Sequence, residues 1–217
     1  MKDDYRVFKK FSNIDEAKEL GSVLESSNIN YKVIDNSPPV DITFTGNLQN
    51  EIQILILQED FEKATQLLEN RADDILDQVA SDHYLFEFTN EELFEILMKP
   101  DEWGVVDYKL SQRILKDRGQ NVNDELIQAL KKQRLDDLAK PEENHAFWVY
   151  FGYVFALLGG LIGLFIGWYM WTYKKSLPNG ERVSAYSPQV QRHGRNIFFT
   201  GIVSLFLLVS FRIISEL

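Results

Sequence analysis

The side chains able to do chemistry are few and scattered. His83, His145 and His193 are the only histidines and fall in three different segments. No His-x-x-His or His-Glu-x-x-His spacing brings two of them to one helix face, which argues against a metal site. With no cysteine in the chain, disulfides, thiolate ligands and cysteine nucleophiles are excluded. The paired acids Asp73-Asp74, Glu91-Glu92 and Asp136-Asp137 lie on predicted helices, where adjacent residues point in different directions and form a solvated face rather than an acid-base pair. Gly159-Gly160-x-x-Gly163-x-x-x-Gly167 sits inside an apolar run, away from any strand-to-helix turn that would make it a phosphate cradle. These residues predict a protein that binds rather than catalyses, without metal or cofactor.

What the glycines can do is let helices approach. Gly159, Gly163 and Gly167 form one small-residue stripe, Gly152, Ala156 and Gly160 another beside it, and Thr200, Gly201 and Ser204 a matching face further on, so pairing within one chain or between two copies is expected. The element that carries the first two stripes runs from Ala146 to Tyr173 without a charged side chain, longer than the roughly 20 residues that span a bilayer. Trp148, Tyr150 and Tyr153 near one end and Trp168, Tyr169, Trp171 and Tyr173 near the other predict rings at two interfaces, and hence a first span over 146–173. A shorter apolar stretch lies between Arg195 and Arg212. If both guanidiniums snorkel, Ile213 and Ile214 join it as a second span over 196–214, the alternative being a lone span followed by an interfacial helix. Neither stretch holds a charge at depth, so a transporter or proton pathway is disfavoured.

Charge divides the chain in the same place. Residues 1–145 hold 17 Lys and Arg against 31 Asp and Glu, while residues 146–217 hold 6 against 2. An acidic domain does not neutralise phosphates, so nucleic acid is excluded as a partner and the lipid bilayer is expected instead. Two spans would place the loop 174–195, with Lys174, Lys175, Arg182, Arg192 and Arg195, opposite the domain and its Lys131, Lys132, Arg134 and Lys140. The positive-inside tendency is then nearly balanced. Met1 to Lys10 lacks the apolar core of a secretory signal, so the expectation is a two-span inner-membrane protein with residues 1–145 and Leu217 in the cytoplasm and Tyr186 outside.

The first eighty residues alternate strands and helices. Tyr5 to Phe11 reads as a strand. Ser12 or Asn13 caps a helix with Asp15 and Glu16 in its first turn and Ile14, Ala17, Leu20, Val23 and Leu24 on its apolar face. Ile29 to Ile34 is a second strand, broken by Asp35-Asn36-Ser37-Pro38-Pro39, and Ile52 to Leu57 a third, buried one. A helix with Phe61, Ala64, Leu68, Ala72, Ile75 and Val79 on one face follows. Tyr84, Phe86 and Phe88 alternate with Leu85 and Glu87 as a fourth strand, completing a β-α-β-β-α-β order.

The run Tyr5 to Phe11, Asp15-Glu16-Ala17, Leu24-Glu25 before Ile29, Asp35, and Glu59-Asp60-Phe61-Glu62-Lys63-Ala64 leading to Leu67-Leu68 resembles the prokaryotic signal-transducing protein domain. The likeness covers roughly a third of the chain. It implies a ferredoxin-like domain similar to the PII signalling proteins over residues 1–80, in an α+β protein with no established activity. The rest resembles a two-span membrane protein type found in Bacteroidetes, again without a known role.

Residues 81–145 read as a helical connector. Thr89-Asn90-Glu91-Glu92 is a capping box that starts a helix over Asn90 to Met98, closed by Pro100. Val106, Leu110, Ile114 and Leu115 mark a second helix ending at Gly119, and Asn123 caps a third. The stretch from Asn36 to Glu51 exceeds a hairpin turn, and Asn36, Ser37, Phe44, Gly46 and Asn47 are the candidate contacts for a ligand or partner protein, the alternative being an edge strand with Phe44 tucked beneath it. Together these features predict a membrane-anchored signalling or protein-interaction module. Its rivals are a structural adaptor of an envelope assembly and an enzyme whose site a partner completes.

Overall fold

The structure, a computed structural model, describes residues 4–36, 51–142, 146–158 and 160–216. Among these residues eight α-helices and five strands make a mixed α+β fold. They divide into two units: Met1–Asp136 with Pro178–Glu181, and Asp137–Leu177 with Arg182–Leu217.

The first unit is organised around a strand of alternating isoleucines. Ile52, Ile54 and Ile56 of β3 (Ile52–Leu57) are buried while the residues between them are not, the period of two that puts one strand face in a core. β3 pairs antiparallel with β1 (Tyr5–Phe11) on one side and with β2 (Tyr31–Asp35) on the other, giving the order β1-β3-β2. β1 shifts register between Val7 and Lys9, a bulge that bends the strand. Burial there holds the Lys9 ammonium below the usual lysine range, because the charged form is the less well solvated one.

Two helices supply the rest of this core. α1 (Ile14–Ser26) begins where Asn13 Oδ1 accepts the Asp15 N–H at 2.9 Å, and it buries Ala17, Leu20, Val23 and Leu24. α2 (Phe61–Ile75) contributes Phe61 and Ala64, with Phe8 of β1 edge-on to Phe61 at 5.4 Å between ring centroids. Full burial of each of the larger apolar side chains is worth about 1.5–3 kcal/mol.

The expected fourth strand is absent from this sheet. Tyr84–Glu87 is a turn of 3₁₀ helix in which Leu85 is fully buried and Phe86 is 42% exposed, the reverse of the anticipated alternation. His83 Nδ1 accepts the Leu85 N–H at 3.4 Å, and Arg118 donates to the Phe86 and Phe88 carbonyls at 2.9 and 2.7 Å. Those bonds occupy backbone groups that a sheet ladder would need.

Leu85 belongs to a second core, built with α3 (Asn90–Met98), α4 (Val105–Asp117) and α5 (Asp124–Ala139) around Leu93, Ile96, Leu97, Leu110 and Leu115. Both halves of the Thr89–Glu92 capping box form. Gly119, at φ +77°, ends α4 in the left-handed region.

α5 is clamped to the α3–α4 connection by one arginine. Arg134 Nε and Nη2 donate to the two Asp101 carboxylate oxygens at 2.7 and 2.8 Å, and Nη2 also reaches Glu102 Oε1 at 2.6 Å. The Arg134 hydrogen bonds hold the Asp101 carboxyl below its usual range, outweighing the opposite effect of burial. Arg134→Ala is expected to cost about 1.5–3 kcal/mol in urea unfolding near neutral pH. A depressed carboxyl pKa stabilises above the unfolded value of about 4 and is lost as pH falls through the folded value. The gap between wild type and variant should therefore be full above pH ~4 and close below it.

Candidate functional site

The second unit is built on three helices, of which the first two consist almost entirely of apolar and small residues. α6 (Ala146–Leu157) and α7 (Leu161–Thr172) are each 12 residues long, and α8 (Pro188–Glu216) has 29. Among the described residues α8 is the one helix long and apolar enough to cross a membrane. The single span expected over 146–173 is two shorter helices, so a two-span topology gives way to one candidate span and a helical pair. The break has a local cause. Gly160 sits at φ +83°, a conformation an L side chain rarely adopts, and a Cβ there would lie 2.7 Å from the Gly201 carbonyl oxygen of α8. Gly159 lies outside the described residues.

α6 and α7 run antiparallel in close contact. A Cβ on Gly163 would overlap the backbone of Ala156, and one on Gly152 would come within 3.1 Å of Ile166. α7 packs on α8 in the same manner: a Cβ on Gly167 would stand 2.5 Å from the Phe198 nitrogen and 2.6 Å from the Gly194 carbonyl oxygen. Gly201 meets Leu164, and Ser204 Oγ donates to the Leu157 carbonyl at 3.1 Å, satisfying an acceptor at the end of α6. Thr200 is half-buried on the same helix. The residues anticipated as packing positions that the structure describes lie on α7 (Gly163 and Gly167) and on α8 (Thr200, Gly201 and Ser204). Gly194, in the stretch that the sequence assigns to the loop 174–195, lies on α8 and makes the same kind of contact. Ser187-Pro188 was the signal for the earlier helix start: Ser187 Oγ accepts the Val190 N–H at 3.4 Å, and proline suits the first helical position.

The segment read as a basic loop carries two short strands, β4 (Lys174–Ser176) and β5 (Arg182–Ser184), paired antiparallel with Lys175 opposite Val183. The chain entering α6 is tied to this hairpin: Glu142 N–H donates to the Ala185 carbonyl at 2.9 Å and Lys175 Nζ to the Lys140 carbonyl at 2.5 Å. The aromatic residues expected at two interfaces consequently meet at one end. Tyr186 contacts Tyr169 and Tyr173 at centroid distances of 6.1 and 6.4 Å, and a cavity of about 570 Å³ is lined by Trp148 of α6, Trp168 and Tyr169 of α7, Tyr186 and Glu142.

Of the candidate binding residues in the first unit, Asn36 is exposed at the end of β2, its N–H donating to the Glu51 carbonyl at 2.9 Å. Ser37, Phe44, Gly46 and Asn47 lie outside the described residues. Among the described residues no group of three or more His, Asp or Glu side chains converges as a metal site. His83 Nε2 stands 3.7 Å from Asp107 at the edge of the helical core, and His193 Nδ1 lies 3.2 Å from the Tyr153 hydroxyl in the three-helix unit. Neither a family model, a curated protein nor a solved structure matches the chain.

Proposed function

We propose that this chain is a membrane-held signalling or interaction module, in which α6, α7 and α8 embed in a lipid bilayer and the acidic first unit acts at the membrane surface by binding rather than by catalysis. The observation that carries this reading is α8, a 29-residue helix whose apolar side chains from Phe206 to Ile214 are exposed. A helix with so much apolar surface in contact with solvent is a core helix of nothing in its own chain; lipid is the partner that surface suits. The basic balance of this unit favours the cytoplasmic leaflet of an inner membrane.

The order β1-β3-β2, with α1 after β1 and α2 after β3, supports the finer reading of a ferredoxin-like, PII-like signalling domain. Three strands have the neighbours that the β-α-β-β-α-β arrangement gives them. The binding region we assign is 36–51, whose two ends are held side by side by the Asn36–Glu51 hydrogen bond.

A melting screen of the full-length protein in detergent against a small-molecule library tests the binding role. A sensor gains stability as RT ln(1 + [L]/Kd), about 2.7 kcal/mol at a hundredfold excess over Kd, and Phe44→Ala should remove that gain while leaving the unliganded melting point in place. No stabilising compound, together with no protein crosslinked through a photoreactive residue at position 44, would contradict it.

A further inference from the structure

We infer that α6 and α7 form a wedge that enters a single leaflet and returns to the side from which the chain entered, leaving α8 to cross alone. This rests on the membrane reading above, and its partner is the acyl region of one lipid leaflet.

Length comes first. Twelve helical residues rise about 18 Å, close to half of the roughly 30 Å hydrocarbon core, whereas 29 residues rise about 43 Å. Depth comes second. The turn between α6 and α7 packs against Gly201 and Ser204 of α8, and these lie midway along the chain between Arg195 and Arg212, the charges that bound its apolar stretch. The wedge therefore covers the first half of α8 and stops near the bilayer midplane, and Phe206, Leu207, Phe211 and Ile214 beyond it are exposed.

The turn is equipped for that depth, because backbone in hydrocarbon must be satisfied internally. Leu158 N–H donates to Val154 O at 3.0 Å, Gly160 N–H to Phe155 O at 3.2 Å, and Ser204 Oγ supplies the Leu157 carbonyl. Outward-facing Phe147, Leu158, Leu161 and Phe165 are exposed, as a lipid-facing surface requires. Rings and charges agree with a single interface. Trp148 of α6 and Trp168 of α7 lie with Tyr186 at the open end of the wedge, and α8 carries no Trp or Tyr. Lys174, Lys175, Arg182, Arg192 and Arg195 share that end, against Arg212 as the one Lys or Arg after Arg195. Positive residues of the loop and of the first unit now fall on one side, which removes the near tie that two spans created.

Because the chain has no cysteine, single-cysteine variants read sidedness directly. Ser26→Cys, Leu158→Cys, Ser176→Cys and Ser215→Cys, all at exposed positions, are labelled with a membrane-impermeant maleimide in sealed vesicles of both orientations. Ser26→Cys and Ser176→Cys should label from the same side, Ser215→Cys from the other, and Leu158→Cys from neither until detergent is added. Labelling of Ser176→Cys from the side opposite Ser26→Cys, or of Leu158→Cys from the far side, would overturn the wedge while leaving the anchor intact. Release of the chain from the vesicles by alkaline carbonate would overturn the anchor and the wedge together.

Discussion

Gly163→Leu is expected to detach α7 from α6 and unfold the three-helix unit. A Cβ alone at this position would overlap the Ala156 backbone, and backbone cannot swing aside as a flexible side chain does. Overpacking normally costs 1–3 kcal/mol through shifted side chains; here two helices must separate, so a loss above about 3 kcal/mol is expected. The readout is a short bis-maleimide bridge between Leu157→Cys and Ser204→Cys, positions joined by the Ser204–Leu157 hydrogen bond. The bridge should form in the parent and in Leu161→Ala, whose side chain is exposed, and fail in Gly163→Leu and Gly167→Leu. Equal crosslinking in all four would show that the small residues face lipid and that the helices pack otherwise.

Leu85→Ala should destabilise the first unit by about 2–5 kcal/mol, the range for truncating a buried leucine, while Phe86→Ala changes stability by less than about 1 kcal/mol, as surface substitutions do. The pair separates two backbones. A strand with Tyr84, Phe86 and Phe88 facing inward would make Phe86 the costly position. The 3₁₀ turn puts Leu85 among Leu93, Ile96 and Leu97 instead. Urea midpoints for the two variants settle the order, and a larger loss for Phe86→Ala would refute the turn.

The parts of the fold legible in sequence are those where one local rule dominates. The Thr89–Glu92 box marks the start of α3, and the alternating isoleucines mark β3. Asn13 starts α1 through its side-chain oxygen, and Gly119 ends α4 because it lacks a Cβ. Tyr84 to Phe88 misled because a run of five residues satisfies a period of two by chance, and only its long-range partner Arg118 decides the backbone.

The anchor misled for a different reason. Hydropathy over 146–173 measures whether a segment belongs in lipid and is blind to its direction, so a span and a hairpin of the same composition look alike. Gly159-Gly160, dividing the run into halves each too short to cross, is the available signal, and its spacing to Gly163 and Gly167 makes it resemble a packing stripe instead. Gly163, Gly167 and Gly201 stand at close helix contacts, where small side chains are needed whichever way the helices run.

Tryptophan fluorescence gives the most direct measurement of where the second unit resides. Trp103 lies against the helical core of the first unit, so Trp103→Phe leaves Trp148, Trp168 and Trp171 as the emitters. In vesicles of bromine-labelled lipids this variant should be quenched, more strongly by bromines near the headgroup than by bromines near the chain ends, because indoles favour the interface. Emission unchanged by bromines at any depth would contradict the claim that α6, α7 and α8 embed in lipid.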